Sequence, residues 1–194
     1  MWDHETIMMI VQGVGETLYM TVLSTVLGYL FGLPMGVLLA VSDKEGLKPN
    51  AVLYKILDAI ANIVRSIPFL ILLILLIPFI ARMVESSIKE VDAGVIEAAR
   101  AMGASNMRII VKVLLVEART SLITGATIAI GTILGYSAMS GAVGGGGLGD
   151  IAIRYGYYRY QSDIMIVTVI LLVILVQIFQ SVGMLIANKI DRRK

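Results

Sequence analysis

The 194-residue chain is 58% hydrophobic and 15% charged, with a mean hydropathy of +0.88. Soluble domains are about one-quarter charged, so these values place it in a bilayer as an all-α polytopic membrane protein. A formal charge of +2 leaves no basic footprint for nucleic acid, zero cysteines exclude a disulfide framework and thiolate metal sites, and the single histidine, His4, lies in a polar segment without a partner; neither metal nor cofactor is implied.

Residues 1–17 contain Asp3 and Glu5 but no basic residue, so the first apolar run, 18–41, is expected to be a retained span and not a cleaved leader. Along it Gly28, Gly32 and Gly36 recur every four residues, the small-residue spacing that lets membrane helices approach closely, and Pro34 is a candidate bend. Residues 42–66 carry Lys44, Lys48, Lys55 and Arg65, which hold that stretch in the cytoplasm and leave the N-terminus outside. Residues 67–81 are uncharged but only 15 long, with Pro68 near the start and Pro78 placed to kink or end a helix. As a helix they would extend about 22 Å, against a hydrocarbon core of about 30 Å. The next stretch, 82–119, holds Arg82, Lys89, Arg100, Arg108, Lys112 and Arg119 and again belongs inside. Two cytoplasmic flanks demand an even number of crossings where there is room for one at most. Residues from about 59 to 85 are therefore expected to form one continuous or Pro-kinked helix, either crossing once or lying re-entrant.

Between these spans lies a short soluble helix-turn-helix. Ala-rich residues 91–102 favour helix, Gly103 can end one in the left-handed conformation, and Ser105 is a good N-cap for the run 106–115. The order Glu97-Ala98-Ala99, then Arg100-Ala101-Met102, then Gly103 resembles the cytoplasmic loop of bacterial ABC-importer permeases, which docks into a groove on the ATPase subunit. The resemblance implies that Glu97, Ala98, Ala99, Arg100, Met102, Gly103 and Ser105 make that contact, with Ala98 and Ala99 permitting close approach. In relatives an Ile-x-Leu-Pro follows; here Val113-Leu114-Leu115-Val116 stands in its place, so the second helix is expected to run on. Read without the resemblance, the segment is an ordinary surface helical hairpin.

Two further apolar runs, 122–143 and 164–187, are long enough to span. Residues 144–163 between them are poor in basic residues and so lie outside, while the tail, with Lys189, Arg192, Arg193 and Lys194, returns to the cytoplasm. Arg65-Ser66-Ile67-Pro68-Phe69, the stretch Ala81-Arg82-Met83-Val84-Glu85, and residues 135–143 with the glycines behind them resemble the methionine-type ABC importer permeases over nearly the whole chain. The resemblance implies an all-α permease fold in a bacterial inner membrane, with five spans, the N-terminus outside and the C-terminus cytoplasmic. It also implies a homodimer working with two ATPase subunits and an extracytoplasmic binding protein. The whole chain would form one transmembrane permease domain, 1–194, with cytoplasmic coupling helices at about 91–116. One departure stands out: relatives carry some twenty-five more residues between the parts matching Pro78 and Phe79, as after an internal deletion. The alternatives are a permease for another amino acid or an osmoprotectant, and a transport-incompetent product of a shortened gene.

Tyr136, Ser137, Met139 and Ser140 place hydroxyls and a thioether near the outer end of a span, as translocation-path candidates or as interhelical hydrogen-bonding groups. The run Gly144-Gly145-Gly146-Gly147-Leu148-Gly149 lacks the Lys-Ser or Lys-Thr of a phosphate loop and reads as a flexible outer turn. Tyr155, Tyr157, Tyr158 and Tyr160 suit the headgroup level or a binding-protein contact, and Gln177 and Gln180 lie three apart on one face of the last span, where hydrogen bonding to a neighbouring helix is expected. All acidic residues fall in apparent loops or tails and no nucleophile-base pair occurs, so no enzyme is read; ATP hydrolysis would belong to a partner subunit.

Overall fold

The structure is a computed structural model that describes residues 3–65, 72–141 and 144–191. Among the described residues every regular element is helical: α1 (His4–Ser42), α2 (Ala51–Arg65), α3 (Leu72–Lys89), α4 (Ala93–Ala101), α5 (Asn106–Ile109), α6 (Leu115–Glu117), α7 (Arg119–Ser140), α8 (Gly147–Ile151) and α9 (Ser162–Ile190). Wider π turns follow α5 at Ile110–Leu114 and α8 at Ala152–Tyr157. Three of these helices are long and apolar enough to cross a bilayer: His4–Ser42, Arg119–Met139 and Ser162–Ile190. They contain the three long runs expected, although α1 starts well before residue 18 and Val143 lies outside the described residues. The chain divides into two compact units, Met1–Val26 with Thr127–Val182, and Leu27–Ala126 with Gly183–Lys194.

The buried face of α1 is narrow and small. Ile10, Gly13, Thr17, Thr21, Ser24, Gly28, Gly32, Gly36 and Leu39 are all buried, spaced three or four apart, while Val11, Tyr19, Val22, Val26, Leu30 and Phe31 point outward. This is the arrangement expected where lipid, not water, surrounds the helix. The buried hydroxyls bond back along their own helix, Thr17 to the Gly13 carbonyl at 2.8 Å and Thr21 to the Thr17 carbonyl at 2.7 Å, so their burial leaves no donor unpaired. Pro34 lies inside α1 and Pro78 inside α3; neither ends its helix.

In the second unit the glycine stripe finds its partner. A methyl group added at Gly28 would lie 2.5 Å from Ile80 Cδ1, at Gly32 2.8 Å from Ile80 Cβ, and at Gly36 2.5 Å from the Ala81 carbonyl oxygen. Residue numbers rise together on the two sides, so α3 runs parallel to α1 with backbone against backbone. The expected continuous helix over residues 59–85 is not formed. Tyr54 Oη donates to Glu85 at 3.1 Å and Arg82 reaches Asp58, so α2 and α3 lie side by side and antiparallel. In one helix, Asp58 and Arg82 would stand about 36 Å apart. Asp58 of α2 meets the Arg82 guanidinium only when the chain folds back. The linking residues 66–71, with most of the Arg65-Ser66-Ile67-Pro68-Phe69 motif, lie outside the described residues.

Candidate functional site

The elbow between α4 and α5 is built by local chemistry. Asp92 caps α4, accepting from the Gly94 amide at 2.7 Å. At the other end Met102, Gly103 and Ala104 donate to the carbonyls of Ala98, Arg100 and Ala99 at 3.1, 2.9 and 3.1 Å, closing a Schellman turn. That turn places Gly103 at φ +77°, where a side chain is strained. Ser105 Oγ then accepts from the Arg108 amide at 3.4 Å and opens α5. The second helix does run on, through the π turn to Glu117.

Of the residues expected to meet a partner, Glu97, Ala98, Arg100, Met102, Gly103 and Ser105 are exposed, and Met102 is 81% so. Ala99 is different: at 5% exposure its methyl group lies inside its own chain, so of the Ala98–Ala99 pair Ala98 is the one open to a partner. Arg100 also donates to the Leu47 carbonyl at 2.7 Å, which ties the elbow to the loop after α1. Beside Met102, the exposed Val95 and Met107 add apolar surface that sequence reasoning did not select.

Behind the elbow a polar cluster gathers the ends of α1, α2 and α3. Glu85, 4% exposed, accepts from Tyr54 at 3.1 Å, from Arg82 at 2.7 Å and from Lys89 at 2.9 Å; Arg82 also pairs with Asp58, and Lys89 with Asp43 at 2.6 Å. The Lys89 ammonium hydrogen-bonded to it holds the Asp43 carboxyl below the usual carboxylate range, against a smaller opposing effect of burial. A lowered folded-state value means that the contribution of Asp43 is fully present above the ordinary carboxylate pKa of about 3.9 and disappears as pH falls through the lowered one.

In the first unit the glycine-rich stretch is pinned, not loose. Gly144, Gly146 and Gly147 have φ of +74°, +80° and +78°. The Gly147 amide donates to Glu16 at 2.8 Å and the Leu148 amide to Thr17 Oγ1 at 2.9 Å. Those amides are therefore taken by α1, which is why the stretch is no phosphate cradle. Gly141 and Gly149 allow two backbones to touch, since a methyl group at Gly149 would fall 2.2 Å from the Ala138 carbonyl oxygen. Glu16 is the functional residue the sequence reading missed. It lies within α1 and not in a tail, held further by Gln12 at 2.9 Å. The sequence signal was a carboxylate two residues before an apolar run. Replacing Glu16 by leucine should free the Gly147 amide and destabilise the turn by about 1–3 kcal/mol, while Glu16→Gln keeps an acceptor and most of the stability. Proteolysis between residues 141 and 150 measures this; equal cleavage rates in both variants would count against the clamp.

The path candidates converge less clearly. Ser137 Oγ donates to the Leu134 carbonyl at 2.8 Å within its own helix, while Tyr136 and Met139 are exposed along α7; the side chain of Ser140 lies outside the described residues. Gln177 and Gln180 separate as well. Gln180 lies against Gly131, and Gln177 lines an open groove of α9 with Val173, Ile174, Ile178, Ser181 and Val182. Residues 147–157 are helical where a loop was expected, with Arg154 paired to Asp150 at 3.1 Å, Arg159 over the Tyr155 ring at 4.6 Å, and Tyr157, Tyr158 and Tyr160 exposed.

Comparison with known proteins agrees with this architecture. The family described as binding-protein-dependent transport system inner membrane component matches residues 76–194. A probable D-methionine transport system permease protein of Vibrio cholerae is 43% identical over 92% of this chain and 90% of its own length. The methionine import system permease protein of Bacillus subtilis is 40% identical over 92% and 91%. A chain of the MetNI methionine ABC transporter, solved in inward-facing conformations, superposes with a TM-score of 0.95 at 43% identity, over 98% of this chain and 100% of that one. An amino acid ABC transporter, at 20% identity and a TM-score of 0.76, shares the fold. The alignment with the Vibrio relative spans 203 residues but uses 92% of the 194 here, about 178, so about 25 aligned positions have no counterpart in this chain. That shortfall equals the missing stretch expected from the sequence.

Proposed function

Because this chain belongs to the family of binding-protein-dependent transport system inner membrane components, we propose that it is the membrane-spanning subunit of an ATP-driven importer of methionine. It is a transport component and not an enzyme, so the energy comes from an ATPase partner. The exposed α4–α5 elbow carries this reading: a rigid, capped pair of short helices joined to the membrane helices through Arg100 and Lys89 suits the transfer of a partner's movement to the spans. In this arrangement Glu97, Ala98, Arg100, Met102, Gly103 and Ser105 contact the ATPase, a second copy completes the pathway, and an extracytoplasmic binding protein delivers substrate on the face bearing the tyrosines. Tyr136, Ser137, Met139 and Ser140 remain the pathway residues we favour. The N-terminus lies outside and the C-terminus in the cytoplasm, as the basic residues require.

Gly103→Val tests the coupling contact. No neighbour lies within 4 Å of a methyl group placed there, so the substitution acts through backbone conformation alone, at a cost of about 1–3 kcal/mol to the turn. Co-purification with the ATPase subunit should fall at least tenfold while membrane insertion stays unchanged. Undiminished binding by Gly103→Val would remove the elbow from the contact, and a wild-type chain that retains no ATPase at all would favour the transport-incompetent reading.

A further inference from the structure

We infer that α2 and α3 do not cross the bilayer but form an antiparallel, re-entrant pair that enters and leaves at the cytoplasmic face, with the apolar side of α2 against the acyl chains of the inner leaflet. The inference rests on the membrane-subunit reading above and adds to it a feature of this shortened chain.

Three chain ends meet at one level. The Asn50 amide, just before α2, donates to the Ser42 carbonyl at the end of α1 at 3.0 Å, and Lys89, at the end of α3, pairs with Asp43 at 2.6 Å. Whatever face holds Ser42 therefore holds the start of α2 and the end of α3. Neither helix is a crossing helix. The 15 residues of α2 reach about 22 Å and include Lys55, Asp58 and Arg65, while α3 carries Arg82, Glu85 and Lys89. Neither contains the roughly 20 apolar residues a span requires.

Nor does the pair lie in the cytoplasm. Leu76, Ile80, Ala81 and Val84 press on Gly28, Gly32 and Gly36, within the apolar run of α1. From Gly28 to Ser42 that helix rises about 21 Å, so the contact reaches about two-thirds of the way through a hydrocarbon core of about 30 Å. The sidedness of α2 is the second observation. Its polar residues Tyr54 and Asp58 turn inward to Glu85 and Arg82, whereas Val52, Leu53, Ile56 and Ile60 are exposed. Water would favour the reverse, and a lipid environment favours this one. Lys55, one turn in from Ala51, is close enough to the entry point to extend its ammonium back to the headgroups. The arrangement satisfies the charge rule that the sequence set: the flanks bearing Lys44 and Lys48 on one side, and Arg100 and Arg108 on the other, share the cytoplasm, and three full crossings carry the chain from an outside N-terminus to an inside C-terminus.

The absence of cysteine makes a direct test possible. Glu45→Cys, Ala93→Cys, Ile60→Cys and Tyr158→Cys are placed singly in the full chain in oriented membrane vesicles and exposed to a membrane-impermeant maleimide. Glu45→Cys and Ala93→Cys should label only from the cytoplasmic side. Ile60→Cys should label from neither side, at least tenfold more slowly than Glu45→Cys, and should become reactive in detergent and toward a lipid-soluble maleimide. Opposite sides for Glu45→Cys and Ala93→Cys would establish a single crossing, and labelling of Ile60→Cys from either aqueous side would remove α2 from the lipid; each overturns the inference. So would disulfide-linked dimers of Ile60→Cys, which place a second copy on that face in place of lipid. Tyr158→Cys is the independent reference. Its labelling from the cytoplasm would overturn the orientation proposed for the subunit, while the pairing of Glu45→Cys with Ala93→Cys would still report the re-entrant pair.

Discussion

Gly36→Leu should yield a protein that inserts but unfolds at clearly lower temperature in detergent, destabilised by about 1–3 kcal/mol or more. The Cβ alone would lie 2.5 Å from the Ala81 carbonyl oxygen and 2.6 Å from Val84 Cβ. The first of these is a backbone atom in the middle of α3 and cannot swing aside. Relief requires α1 and α3 to separate, which abandons the close contact along Gly28 and Gly32 as well. Gly15→Leu in the same helix is the matched control, because nothing lies within 4 Å of a methyl group there and leucine is the better helix former. Thermal unfolding of the two variants beside the parent decides the matter. Equal melting temperatures for Gly36→Leu and Gly15→Leu would show that the stripe contributes no packing.

Arg82→Met is expected to be the more damaging change. It keeps the length and apolar stem of the side chain but withdraws the guanidinium shared by Asp58 and by the buried carboxylate of Glu85. Removing one partner from a fully buried ion pair costs about 3–5 kcal/mol. Arg82 keeps one-fifth of its side chain exposed and Lys89 still reaches Glu85, so about 2–3 kcal/mol is the better figure here. The damage should fall on α2 first, since the Arg82–Asp58 pair and the Tyr54–Glu85 hydrogen bond help to hold it to α3. A second substitution, Glu85→Gln, should restore part of the loss by neutralising the carboxylate left behind. Denaturant unfolding in micelles reads both. A loss below about 0.5 kcal/mol would mean that the cluster acts as a set of solvent-screened surface pairs.

These two residues also show where the sequence could be read and where it could not. The glycine stripe was visible because four-residue spacing on a long apolar helix has one geometric meaning, a face open to close approach. Its partner was not visible, because nothing in Leu76, Ile80 and Val84 distinguishes a contact face from a lipid face. The end of one elbow helix and the start of the next were legible because helix caps are local: Gly103 and Ser105 do in the structure what their residue types favour, while the Asp92 cap at the other end was not picked out. The fold-back of α2 on α3 was misread for the opposite reason. Asp58 and Arg82 are 24 positions apart, and an ion pair at that distance has no periodic signature in the chain. Glu16 escaped in the same way, since the amide that it holds lies 131 positions downstream. Reading the glycines after Val143 as a loose turn followed from seeing their conformational freedom without seeing the two side chains that remove it.

The wide turn at Ile110–Leu114 has a consequence for any change in chain length near the elbow. A π turn holds one residue more than the α-helix would need over the same path. It therefore takes up one residue of chain length after the elbow and is the place where a one-residue change is absorbed. Deleting a single residue from this turn would let it close as a helix of ordinary pitch over the same path, whereas deleting one from the α-helical turns beside it would rotate everything upstream by about 100° and draw it in by about 1.5 Å. Insertion into the membrane should survive this second deletion. The angle at which Met102 and Ala98 are presented would not, and a helix intact by every spectroscopic measure would then point its contact surface in the wrong direction.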